Sequence, residues 1–165
     1  MDEADLLQTL AEVGVAIAGF TGVVVVLGRR ARGDWSPPEI QWLHMLLLSS
    51  LSVVFFGLLP VVLENAGLSP ARVWRLSAGF LAAECAGIMV LGWRRFLPHF
   101  QSYPTSWRAL GYLSSILHVA SVVGCGLVAA GNLAGLVSLV YLFTLLHLVS
   151  IGIINFAYLL LSEAA

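Results

Sequence analysis

Long apolar stretches alternate with short polar breaks along the whole chain. Five stretches reach the roughly 20 apolar residues that one helical crossing of a bilayer needs. They fall at roughly residues 6–28, 40–63, 73–93, 108–130 and 135–160. The breaks between them carry helix-start chemistry. In "SPPEIQW", Ser36 is placed to cap, Pro37 to open the helix and Glu39 to complete a capping box. "SPARVW" repeats the idea with Ser69 and Pro70, and "PTSWRAL" offers Thr105 or Ser106 after Pro104. "GNLAG", residues 131–135, predicts a tight turn between the last two spans. Pro60, near the end of the second span, predicts a kinked or loosened last turn.

Composition agrees with this pattern. Of 165 residues, 59% are hydrophobic and only 10% charged, against about 25% charged in soluble domains. The mean hydropathy is +0.94. A soluble fold could not hide so much apolar surface, so the predicted class is an all-α integral membrane bundle of about five helices in one membrane domain. The five Trp residues, Trp35, Trp42, Trp74, Trp93 and Trp107, all stand at or beside a predicted span end, the depth that indole prefers.

Charge sets an expected orientation. The first and third connectors and their flanks hold Arg29, Arg30, Arg32, Arg94, Arg95 and Arg108, whereas the second holds Arg72 and Arg75 and the fourth none. The positive-inside rule then places connectors one and three in the cytoplasm, the amino terminus outside and the carboxy terminus inside. The acidic start "MDEADLLQTL" lacks a basic leader, so the first span reads as retained. A net charge of -1 gives no reason to expect a nucleic-acid partner. The bilayer itself is the expected surrounding.

"AEVGVAIAGFTGVVVVLGRR" followed by "WSPPE" resembles the opening of a group of small, uncharacterised bacterial multi-pass membrane proteins. The resemblance covers about a quarter of the chain, the first span and the start of the second. It implies bacterial origin, hence an inner membrane, and no particular activity.

Two sets of residues carry candidate roles. Small residues at four-residue spacing, Gly14, Ala18 and Gly22 in the first span and Gly79, Ala83 and Gly87 in the third, mark helix-packing faces. They predict close packing within the chain or a seam between copies. The second set is ionisable: Glu12, His44, Glu84, His118 and His147 fall inside spans, where such groups are costly. His44 is near a span end and can reach the interface. His118 lies fourteen residues before Asn132 and His147 fourteen after Leu133, so an antiparallel hairpin sets both roughly 20 Å from the turn. Glu84 lies about halfway along the third span. Glu12, near the periplasmic end, is expected to pair with Arg75, with Glu64 as competitor.

The histidines and Glu84 admit several chemistries. Neutral imidazoles hydrogen-bonded to hydroxyls or carbonyls would pin helix register. A Glu12, Glu84, His118 and His147 set could instead hold protons or ions. His118 and His147 as axial ligands of haem b form a third possibility, and zinc with Glu84 as third ligand a fourth. Cys85 and Cys125 have no metal-site or disulfide spacing and read as packing residues. No HExxH, GxSxG, GxGxxG or Walker signature occurs. The expected function is therefore non-enzymatic and without a cofactor: assembly into a homo-oligomer or with another membrane protein. An oligomeric ion or proton pathway and a haem-binding electron-transfer subunit are the alternatives.

Topology is directly testable. Cysteine introduced at Ser69 or Asn132 should react with an impermeant thiol reagent added outside the inner membrane, and cysteine at Gly33 or Ser102 should not. The reverse labelling pattern would invert the orientation.

Overall fold

The computed structural model describes residues 3–29, 37–96, 105–133 and 135–162. Every regular element among them is helical: α1 (Glu3–Arg29), α2 (Pro37–Asn65), α3 (Pro70–Phe96), α4 (Thr105–Ala129) and α5 (Val137–Ser162). All five are long and apolar enough to cross a membrane. Most extend a few residues past the apolar runs, because capping residues and prolines rather than hydropathy decide where a helix begins. Pro37 and Pro70 are the first residues of α2 and α3, where a missing N–H is harmless. Arg30, Arg32, Trp35 and Ser36 of the first connector, and Pro104 of the third, lie outside the described residues.

Two breaks close by the same device. Gly67 and Gly131 have φ of +82° and +87°, a conformation that only glycine adopts without strain. Leu68 N–H donates to Leu63 O and Gly67 N–H to Glu64 O, and Asn132 and Gly131 repeat this on Leu127 and Val128. These are Schellman motifs, which satisfy the last carbonyls of α2 and α4. Ser69 O then accepts from the N–H groups of Arg72 and Val73 and starts α3. Pro60 does not end α2, which runs on to Asn65 with Pro60 buried. The ring removes one backbone hydrogen bond, and the helix continues past it.

The chain divides into two compact units. The first comprises residues 1–58 and 148–165, hence α1, most of α2 and the second half of α5. Here α1 and α2 run antiparallel at backbone contact. A Cβ on Gly14 would lie 2.8 Å from Ser50 O and 3.0 Å from Val54 Cγ2, and one on Gly57 3.0 Å from Leu7 O. Gly152 of α5 packs on the side-chain hydroxyls of Ser50 and Ser49, 3.2 and 3.4 Å from its Cβ position. Trp42 stacks on Tyr158 with ring centroids 4.3 Å apart.

The buried face of α1 is Leu7, Ala11, Gly14 and Thr21. That is a spacing of alternating three and four residues, which keeps one face toward a neighbouring helix. The strict four-residue stripe drifts off this face. Ala18 is half-buried, and Gly22 is exposed with nothing within 4 Å of its Cβ position.

The second unit, residues 59–147, packs α3 against α4 and the first half of α5. Val73, Ala78, Leu81, Cys85 and Ile88 of α3, Cys125 and Val128 of α4, and Tyr141 and Leu145 of α5 form its buried apolar set. Tyr141 packs edge-on against Trp74 at 5.5 Å. Gly79 faces Ala129 across α3 and α4, whereas Ala83 and Gly87 are exposed.

The α1–α2 contact predicts a contrast between two glycines on one helix. Gly14→Ala should lower stability by about 1–3 kcal/mol, since its methyl meets a backbone carbonyl. Gly22→Ala should be neutral or stabilising by up to about 1 kcal/mol through helix propensity. Unfolding in mixed micelles measures both, and equal effects would contradict the described crossing.

Candidate functional site

Three of the five spanning ionisable candidates, Glu84, His118 and His147, are buried or half-buried, and two of them meet. The α4–α5 hairpin register, set by the turn after Gly131, brings His118 and His147 to the same depth. Both rings are buried. His118 Nδ1 and His147 Nε2 are 3.1 Å apart, and the rings cross at 69°. The other nitrogen of His118, Nε2, lies 3.0 Å from the backbone carbonyl of Cys85 on α3. One imidazole therefore ties three helices together.

The carbonyl determines the protons. Cys85 O can only accept, so His118 Nε2 carries a hydrogen and donates it. In the neutral ring Nδ1 is then an acceptor, and His147 donates to it through Nε2–H. One further proton reverses the middle bond. His118 as imidazolium donates through Nδ1–H to His147 Nε2, and His147 then holds its hydrogen on Nδ1. A second added proton would set two N–H groups face to face and break the bond. The pair can thus share and store a single proton. It does not pass one on through Cys85, because an amide carbonyl is a terminus.

Hydroxyls and a thiol continue the polar track along the hairpin. Thr144 donates to Val140 O at 2.9 Å, and its Oγ1 lies 3.3 Å from Cys125 Sγ. Ser121, one turn beyond His118, is 1% exposed and its Oγ has no hydrogen-bond partner among the described residues. Cys85 and Cys125 are both free thiols.

Glu84 is half-buried on α3 beside Cys85. Among the described residues no three His, Cys, Asp or Glu side chains come together in a way that could hold a metal ion. Glu84 is therefore not brought to the histidines as a third ligand. Haem does not fit the pair either. An axially ligated iron and its macrocycle must stand between the two imidazoles, and here they touch at hydrogen-bond distance, with His118 held at both nitrogens.

Glu12 and Arg75 each have other partners. Glu12 is exposed and its Oε1 accepts from Gln8 Nε2 at 3.0 Å, one turn back on α1. Arg75 Nε donates to Ala129 O at 2.9 Å, capping the negative end of α4. Glu12 is thus engaged within its own helix, where a glutamine four residues away needs no approach of another element, and Arg75 reaches across from α3 to the end of α4. Glu64 is exposed and does not engage Arg75. His44 is exposed on α2.

Sequence reasoning missed the Cys85 carbonyl and the glycines Gly57 and Gly152. A carbonyl acceptor leaves no signature in residue type. The two glycines stand alone in their spans and form no repeat, so spacing does not select them. No known family model matches the chain, and no curated protein or solved structure is similar to it.

The pairing makes a quantitative prediction. His118→Leu and His147→Leu should each destabilise, and the double variant should cost less than their sum. The coupling expected for a hydrogen bond between membrane helices is about 0.6–1.7 kcal/mol. Additive costs in a double-mutant cycle, read from unfolding in mixed micelles, would show that the rings act separately.

Proposed function

We propose that this protein is a non-enzymatic integral protein of a bacterial inner membrane, amino terminus outside, and that it acts by assembly with itself or with another membrane protein. The observation that carries the reading is the engagement of the buried histidines. His118 is bonded at both nitrogens, to Cys85 O and to His147, so the most polar buried group ties helices together rather than presenting a free site. Its two partners are on α3 and α5, which suits a register pin.

Assembly has its own support on α1. Val15, Gly19 and Gly22 are exposed on one side of this helix, and nothing lies within 4 Å of either glycine's Cβ position. Small residues on a lipid-facing helix allow a second helix to approach closely, with van der Waals packing as the driving force. The inner-membrane assignment rests on the resemblance of the first span and on the arginine distribution.

A proton pathway through the same histidines is the second reading. Its support is the single proton held between two nitrogens 3.1 Å apart.

Mass measurement in nanodiscs tests the assembly reading. An oligomer is expected, and Gly22→Leu should reduce it to the monomer while leaving the fold intact, because the substituted side chain enters open space. A monomeric wild type that acidifies proteoliposomes, with the flux abolished in His147→Leu, would replace assembly by the proton pathway.

A further inference from the structure

A groove on the second unit has an apolar floor and a cationic head. It runs along α3 over Gly79, Phe80 and Ala83, is walled by Ala129 of α4, and opens at Arg72 and Arg75. The two arginines are three residues apart at the start of α3, so they stand on one side of the helix. Both are exposed. Arg75 uses Nε on Ala129 O and its guanidinium lies over Gly131, with its two terminal nitrogens making no hydrogen bond among the described residues. Arg72 has no side-chain hydrogen bond or ion pair among the described residues. Glu64 is exposed and pairs with neither of them.

The chemistry of an occupant follows from this layout. The arginines lie within the first two turns of a helix that is long and apolar enough to cross a membrane, so they sit at headgroup level. Paired guanidinium groups match phosphate oxygens in geometry and charge. The positive end of α3 adds to the same field. Below them, the eight residues from Arg75 to Ala83 give roughly 12 Å of groove. Gly79 and Ala83 keep its floor low, and Phe80 supplies an apolar wall. A hydrocarbon chain fits that part and a water-soluble anion does not use it.

We propose that this groove binds an anionic phospholipid, with the phosphate held by Arg72 and Arg75 and one acyl chain lying over Gly79 and Ala83. The proposal rests on the membrane reading of the five helices. It makes α3 a lipid-anchored edge of the protein, and it accounts for two unneutralised cations in a connector otherwise poor in charge.

Native mass spectrometry of detergent-extracted protein, equilibrated with equal amounts of phosphatidylglycerol and phosphatidylcholine, tests it. Wild type should retain phosphatidylglycerol over phosphatidylcholine by roughly tenfold or more, from about 1 kcal/mol for each arginine near the surface. Arg72→Gln should lower that preference about fivefold, and since Arg72 has no partner among the described residues, the fold should be unaffected. Arg72→Gln with Arg75→Gln should abolish it. Ala83→Leu, which fills the floor, should reduce retention of the lipid, and Arg94→Gln at the far end of α3 should change nothing. Equal retention of the two lipids by wild type would overturn the proposal. So would an Arg94→Gln loss as large as that of Arg72→Gln, or displacement of the lipid by millimolar inorganic phosphate, which would mean a headgroup site without the groove. A dimer that Ala83→Leu separates, with no lipid preference, would assign the groove to a second copy and overturn it as well. Recovery of the protein in aqueous buffer without detergent would overturn the membrane reading itself, a result separate from all of these.

Discussion

A polar group inside hydrocarbon has no water to fall back on, so each one must find its partner within the protein. The His118 ring meets that constraint at both nitrogens. One is satisfied by a carbonyl of α3 and the other by an imidazole of α5. Because each bond requires a particular rotation and depth of its helix, the ring fixes three helices at once. Apolar packing alone could not do so, since lipid is as good a neighbour for leucine as another leucine. The rest of the second unit, from the Trp74–Tyr141 contact to the Thr144–Cys125 contact, is arranged around that register.

The first unit solves the same problem without a buried histidine among its described residues. Its helices meet through glycine and serine. Gly14 lies on Ser50 O, Gly57 on Leu7 O, and Gly152 on the hydroxyls of Ser49 and Ser50. Close backbone approach multiplies weak dispersion contacts. Ser49 and Ser52 bond their own helix, on Leu46 O and Leu48 O, whereas the buried Ser50 Oγ has no hydrogen-bond partner among the described residues. The two units thus display two means of holding helices together in an apolar solvent: polar bonds between helices in one, and small-residue contact in the other.

The functional reading rests on where polar groups are left over. In the interior, His118 and His147 bond each other, and Ser121 contributes a buried hydroxyl with no partner among the described residues. At the surface, Arg72 and Arg75 head an apolar groove. The first arrangement holds the protein's own helices together. The second faces outward, where the bilayer supplies both phosphate and hydrocarbon. A membrane protein of this size meets its surroundings mainly through such edges.

Much of the architecture was legible because its causes are local. Twenty apolar residues make a span whatever surrounds them, Pro37 and Pro70 open helices because the first turn needs no N–H, and Gly131 closes α4 because its φ is positive. The meeting of His118 and His147 was also within reach. It follows from counting residues on either side of one turn, and helical rise does the rest. What the residue order could not determine is which face of each helix turns inward and what it meets there. Spacing marked Gly14, Ala18 and Gly22 as one packing face, for use within the chain or between copies; within the chain the buried face is Leu7, Ala11, Gly14 and Thr21, with Gly22 exposed. Charge suggested Glu12 with Arg75, but spacing did not reveal that Gln8 would donate to Glu12 or that Arg75 would donate to Ala129 O. The partner that completes the histidine pair, the Cys85 carbonyl, belongs to the backbone, which is the same at every position. Only the relative rotation and depth of α3, α4 and α5 decide which of their many carbonyls a ring can reach.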